Sequence, residues 1–113
     1  AIAVNGGMVV VNGSTTAAVT VNGGGMLGGS GSVGGLTAAT GAVIAPGNSI
    51  GTLTVNGALT FNAGSIYRVE ADAAGAADRI NVTGAPGTAT LNGGTVDVQA
   101  GAGTYNTTTV YTI

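Results

Sequence analysis

Asn-Gly and Gly-Gly pairs cut this chain into short runs. Val4-Asn5-Gly6, Met8 to Gly13, Ala17 to Gly23, Met26 to Gly29 and Ser32 to Gly35 each end an apolar run at such a pair. Glycine and asparagine accept the backbone angles of tight turns at little steric cost. Runs of four or five residues are too short for helices and long enough for strands. The clearest case is Gly51 to Phe61, where Leu53 and Val55 alternate with Thr52 and Thr54, and Leu59 and Phe61 with Ala58 and Thr60. A period of two in Thr, Val and Leu marks a half-buried strand. Joined as a two-residue hairpin at Asn56-Gly57, these runs would place Thr54 against Leu59 and Leu53 against Thr60. Facing residues share one side of a sheet, so this register sets apolar against polar. A three-residue loop would restore the match. The other reading makes Asn56-Gly57 a corner, where the chain bends from one sheet into the next around a single core. Coils built that way, about 20 residues each, make a β-solenoid.

The remaining runs fit the same scheme. Ala42 to Ile50 reads as a strand and a turn, with Pro46 and Gly47 at the central positions of a type II turn. Ser65 to Asp72 is the longest strand candidate, with Tyr67, Val69 and Ala71 on the inner face and Arg68, Glu70 and Asp72 on the outer. Arg79 to Gly84, Thr88 to Gly94, Thr95 to Gln99 and Thr109 to Ile113 follow as strands and corners. No 3.6-residue period survives, so no helix is expected. The predicted core is Leu53, Val55, Leu59, Phe61, Val69, Ile80, Val82, Leu91, Val96 and Val98. Residues 1–35 hold 11 of the 23 glycines, and all four aromatics lie beyond residue 60. The first 35 residues are therefore expected to form weaker coils than residues 36–113.

Composition narrows the classes. Only 5% of the 113 residues are charged, with two Arg, no Lys and a net charge of −2. Nucleic acid needs a basic footprint, and anionic lipid needs a polybasic patch. Neither is present. The mean hydropathy of +0.49 comes from small residues spread evenly. No run approaches the roughly 18 apolar residues of a spanning helix. With no Cys there is neither a disulfide frame nor thiolate chemistry.

Gly34-Gly35-Leu36-Thr37, followed by Pro46-Gly47-Asn48-Ser49-Ile50-Gly51-Thr52-Leu53-Thr54-Val55-Asn56-Gly57, resembles the passenger-associated repeat of bacterial autotransporters. The resemblance continues through Leu59-Thr60-Phe61, Gly64-Ser65, Tyr67, Val69-Glu70, Asp78-Arg79-Ile80-Asn81-Val82 and Leu91-Asn92-Gly93-Gly94-Thr95-Val96. Order and spacing agree from about Gly34 to Val98, and the flanks agree in style only. The resemblance implies an all-β fold, a right-handed parallel β-helix of about five coils. It implies a single β-helix segment over 1–113, part of a longer passenger, on the bacterial cell surface. It also implies a C-terminal outer-membrane β-barrel as partner and an autochaperone role for residues 36–113. The start in mid-pattern without Met, and the end inside an apparent strand, suit a fragment.

Catalytic chemistry finds little to work with. Ser14, Ser30, Ser32, Ser49 and Ser65 lack a His or Lys to act as base. Glu70 and Asp72, two apart on a strand, would be roughly 6–7 Å apart, near the carboxylate spacings of glycosidases. Solvated surface charge beside Arg68 explains them as well. Glu70, Asp72 and Asp78 are the one candidate metal cluster, short of the six to eight oxygens that calcium takes. Thr52/Thr54 and Thr88/Thr90 carry the Thr-x-Thr pattern of flat ice-binding solenoids, without a fixed coil period. We therefore expect no catalytic, cofactor or metal residues and no cofactor. Two function classes remain. One is a stalk and folding seed of an exported surface protein. The other is an adhesin or self-association module acting through open β-helix ends. A polysaccharide-acting enzyme is the third and weakest-supported reading.

Overall fold

The computed structural model describes residues 2–47, 50–105 and 110–113. Its strands are β1 (Ile2–Val4), β2 (Gly7–Val10), β3 (Ala18–Val21), β4 (Gly25–Gly29), β5 (Ser32–Val33), β6 (Gly35–Ala38), β7 (Val43–Pro46), β8 (Thr52–Phe61), β9 (Ile66–Ala71), β10 (Arg79–Leu91) and β11 (Thr95–Ala100). Among the described residues there is no helix. One sheet runs β1-β3-β6-β8-β10, with β5 also on β8; the other runs β11-β9-β7-β4-β2. All pairings between these strands are parallel. The chain passes from the first sheet to the second and back, and each pass lies beside the last. This is an all-β, parallel-stranded architecture compatible with a β-solenoid.

Register aligns like residues into columns. One column is Ile2, Val19, Leu36, Leu59 and Ala89; a second is Val4, Val21, Ala38, Phe61 and Leu91. A third, in the other sheet, is Val9, Leu27, Ile44, Tyr67 and Val96. The middle members are buried together with Val33, Leu53, Val55 and Val69 in one cluster. Leu53, Val55, Leu59, Phe61 and Val69 thus lie where the alternation placed them.

The corner from first to second sheet is the same in three successive coils. Gly25 N donates to Asn22 O, Ala42 N to Ala39 O and Ser65 N to Asn62 O, closing four-residue turns. Their third residues, Gly24, Gly41 and Gly64, have φ of 86°, 84° and 84°. A type II turn demands positive φ there, which glycine alone adopts freely. Elsewhere glycine serves close approach: a Cβ at Gly31 or Gly34 would collide with the carbonyl of Gly13 or Thr16 in the neighbouring coil.

Three expectations need correction. Asn56-Gly57 is neither a hairpin turn nor a corner between sheets, because β8 runs through it. Leu53, Val55, Gly57, Leu59 and Phe61 all face inward in one unbroken alternation. Gly57 takes an inward position where a Cβ would strike the Gly34 carbonyl. Opposite it, β5 ends at Val33 and β6 starts at Gly35, so β8 carries one extra residue between Val55 and Leu59. That is a bulge, not a turn. Arg79 to Leu91 is likewise one strand, with its irregularity between Thr83 and Thr88.

The second correction concerns the core. Leu91, Val96 and Val98 are exposed by 73%, 51% and 56%. Ile80 and Val82 are only partly buried against the cluster. They belong to β10 and β11, the edge strands of the two sheets among the described residues. Third, Val110 to Ile113 is not a strand, and Thr109 lies outside the described residues. The same holds for Asn48, the final residue of the expected Pro46-Gly47 turn.

Candidate functional site

The carboxylates serve the backbone. Asp78 is almost fully buried, and its Oδ1 accepts from Gly51 N (2.9 Å) while Oδ2 accepts from Glu70 N (2.8 Å). It clasps the segment before β8 to β9. Asp72 Oδ1 accepts from Ala74 N (3.0 Å) and Ala76 N (2.9 Å), holding the loop before β10. Glu70 is exposed on β9. Arg68 pairs with Asp97 across to β11 at 3.5 Å, both side chains being about 40% exposed. Among the described residues no three acidic side chains group as a metal site. Ser14 and Ser32 bridge through their backbones, and Ser65 is buried with its hydroxyl donating to Asn62 O (2.6 Å). Ser30 is exposed, and Ser49 lies outside the described residues.

One concavity among the described residues lies at the end of the last coil. It holds about 490 Å³ between Leu59, Phe61, Tyr67, Leu91, Val96 and Ile113. Phe61 and Tyr67 stack across it with centroids 5.6 Å apart. The C-terminal segment lies over one side. Ile113 O accepts from Tyr67 Oη (2.6 Å) and from Ile80 N (3.0 Å). Tyr111 donates its hydroxyl hydrogen to Asp72 O. Tyr105 Oη contacts Gly101 O (2.6 Å) and Ala71 O (3.2 Å). Burial disfavours the phenolate and pushes the Tyr67 hydroxyl up to about 12.

Two polar ladders cross the stack. Asn22 Nδ2 donates to Asn5 Oδ1 (2.6 Å), and Asn92 Nδ2 to Asn62 Oδ1 (3.3 Å). Each of these asparagines follows an inward column residue at the same corner, and Ala39 fills the equivalent place between the two pairs. Outside the first sheet, Thr20, Thr37, Thr60 and Thr90 align in one row. Sequence spacing hid both ladders. Partners lie 17 residues apart at Asn5–Asn22 and 30 apart at Asn62–Asn92, so no fixed period exists. The Thr-x-Thr motifs do not form an array. Thr52 and Thr54 pair with Arg79 and Asn81, far from Thr88 and Thr90. The row beside the threonines is Ala18, Gly35, Ala58 and Thr88.

Fold and surface define a class: a sparsely charged parallel β-stack whose prominent feature, among the described residues, is an apolar end. No family model matches the chain, and no curated protein matches it.

Proposed function

We propose that this chain is a structural segment of an exported bacterial surface protein, a stalk that also seeds folding of the parts it carries. In this reading the stack is a right-handed parallel β-helix. Support for the hand is general: a strand returning to a parallel neighbour in its own sheet crosses right-handedly in nearly all proteins. The observation that carries the functional reading is where the autotransporter-like residues fall. Leu53 to Phe61, Tyr67 to Glu70, Asp78 to Val82 and Leu91 to Val96 build β8, β9, β10 and β11, which include the longest strands of the molecule. Asp78 and Tyr67 tie these strands to their loops and to the C-terminal segment. Such coils can form on their own contacts and offer an edge to the next, since stacked repeats depend on nearest neighbours. An outer-membrane barrel is the partner this role requires, and the cell surface is its place.

The test is surface display. The chain is placed between a reporter and an outer-membrane β-barrel in a Gram-negative host. Deleting Gly51 to Ala100 should abolish folded reporter at the surface, while deleting Ile2 to Ser14 should leave most of it. Undiminished display after the first deletion overturns the proposal. The second reading, self-association at the cell surface, is favoured by the large apolar side chains exposed at the two ends of the stack.

A further inference from the structure

We infer that Met8 and Met26 form an oxidant-accepting pair on the outer face of the second sheet, where a peroxide converts both thioethers to sulfoxides and leaves the fold intact. This does not rest on the stalk reading. The two residues hold all the sulfur of a chain without cysteine. Far apart in sequence, they are direct partners in the fold, for β2 and β4 pair in parallel with Met8 opposite Met26. Facing residues share one side of a sheet, and here that side is the outer one. Leu27, the next residue along β4, has no exposed surface, whereas Met26 is partly exposed. Successive strand residues point to opposite faces, so the outward aim of Met26 follows from the inward aim of Leu27. β4 has β2 on one side and β7 on the other, so this aim owes nothing to an edge of the sheet. The outward row runs Met8, Met26, Val43 and Ile66. Beside it runs a second outward row of Val10, Gly28 and Ala45. Over β2, β4 and β7 neither row brings a charged or hydrogen-bonding side chain to the sulfur atoms.

Gly28 fixes how Met8 lies. A Cβ at Gly28 would come within 2.9 Å of the Met8 methyl, Cε. Long side chains on a strand lean along its direction, and Met8 leans from its place opposite Met26 to a rest over Gly28. Gly28 is buried there although it belongs to the outward row. The end of the Met8 thioether thus has the sheet on one side and solvent on the other.

Thioether sulfur is soft and polarizable. Its lone pair attacks one oxygen of hydrogen peroxide, the O–O bond breaks, and the other oxygen leaves as water once it has gathered both hydrogens. Sulfur is oxidised to the sulfoxide and the peroxide is reduced. A sulfoxide is polar and chiral, and it disrupts a core when the methionine is buried in one. Here both new oxygens stand outside the sheet, clear of the cluster to which Leu27 and Ile44 belong. The pair consumes oxidant without disturbing the columns. Met8, held against Gly28, receives its oxygen from the solvent side, so one sulfoxide epimer dominates.

Hydrogen peroxide followed by mass spectrometry of the purified chain tests this. The folded chain should gain two oxygens, one per methionine, with its circular dichroism spectrum and urea midpoint unchanged. Met8→Leu and Met26→Leu should each remove one oxygen from that gain. In Met26→Leu the one remaining sulfur is that of Met8. After oxidation and proteolytic digestion of this variant, the two classes of methionine sulfoxide reductase, each reading one epimer, should restore unequal shares of the Met8 peptide. The same variant oxidised while unfolded in urea should give equal shares. A folded chain that takes up fewer oxygens than the urea-unfolded chain overturns the inference, as does a urea midpoint that falls on oxidation. Equal shares from the folded variant overturn the one-sided seating of Met8 on Gly28.

Discussion

The middle coils and the last coil carry the same alternation and meet opposite fates. In β8 the inward residues Leu53 and Val55 have no exposed surface, while Leu91 at the end of β10 is 73% exposed. Both are Leu or Val at inward places of parallel strands. The difference lies in what stacks on them. Leu59 has Leu36 on one side and Ala89 on the other; Leu91 has only Phe61. In such a stack, burial belongs to the pair of neighbours and not to the residue.

The largest expected contrast is between two leucines. Leu53→Ala should cost about 2–5 kcal/mol, as full burial implies, and Leu91→Ala no more than about 1 kcal/mol. Urea unfolding of both variants measures this. Similar costs would show that the end is covered in solution.

A smaller effect tests how firmly the last coil is tied on. Asp78→Ala leaves the amides of Gly51 and Glu70 without their acceptor, at a cost of about 2–3 kcal/mol. Amide exchange should rise first in β10 and β11, and β3 to β7 should keep their protection. Uniform loosening would mean the coils fold as one unit with no weak end.

The smallest effect is in alkali. The Tyr67 hydroxyl is raised to about 12 from an ordinary 10.0 in the unfolded chain. The folded state therefore holds a proton that the unfolded chain gives up near pH 10. Its contribution is whole below pH 10 and fades as the pH climbs toward about 12. Tyr67→Phe should reduce this slope in the urea midpoint between those limits. An unchanged slope would place the alkaline sensitivity elsewhere.

Much of this was legible in residue order, and the failures have physical causes. Alternation reported which side chains of β8 and β9 point inward, since a strand turns its faces every residue. It could not report that Val96 and Val98, on the edge strand β11, would be left about half exposed. Asn56-Gly57 looked like a turn because its residue types permit one. Yet Leu53, Val55, Gly57, Leu59 and Phe61 keep one parity, and that unbroken parity was the available sign of a continuous strand. The ladders were hidden because loops of unequal length separate their rungs. Asp78 gave no signal as a clasp, for its partners are main-chain amides 27 and 8 residues away.

In the three middle coils one corner is constant and the other is not. From Leu36 to Val43 and from Leu59 to Ile66 the step is identical, fixed by the glycine turn. The return from the second sheet to the first lengthens instead: Met26 to Ser32, Val43 to Thr54, then Ile66 to Asn81. The columns hold throughout. The middle of such a chain has a fixed spine and a hem that can be let out. Lineages could lengthen the hem by insertion, gaining new outer surface along one edge while the spine inherits no change. Diversity in a protein of this plan would then collect on a single flank, laid down turn by turn.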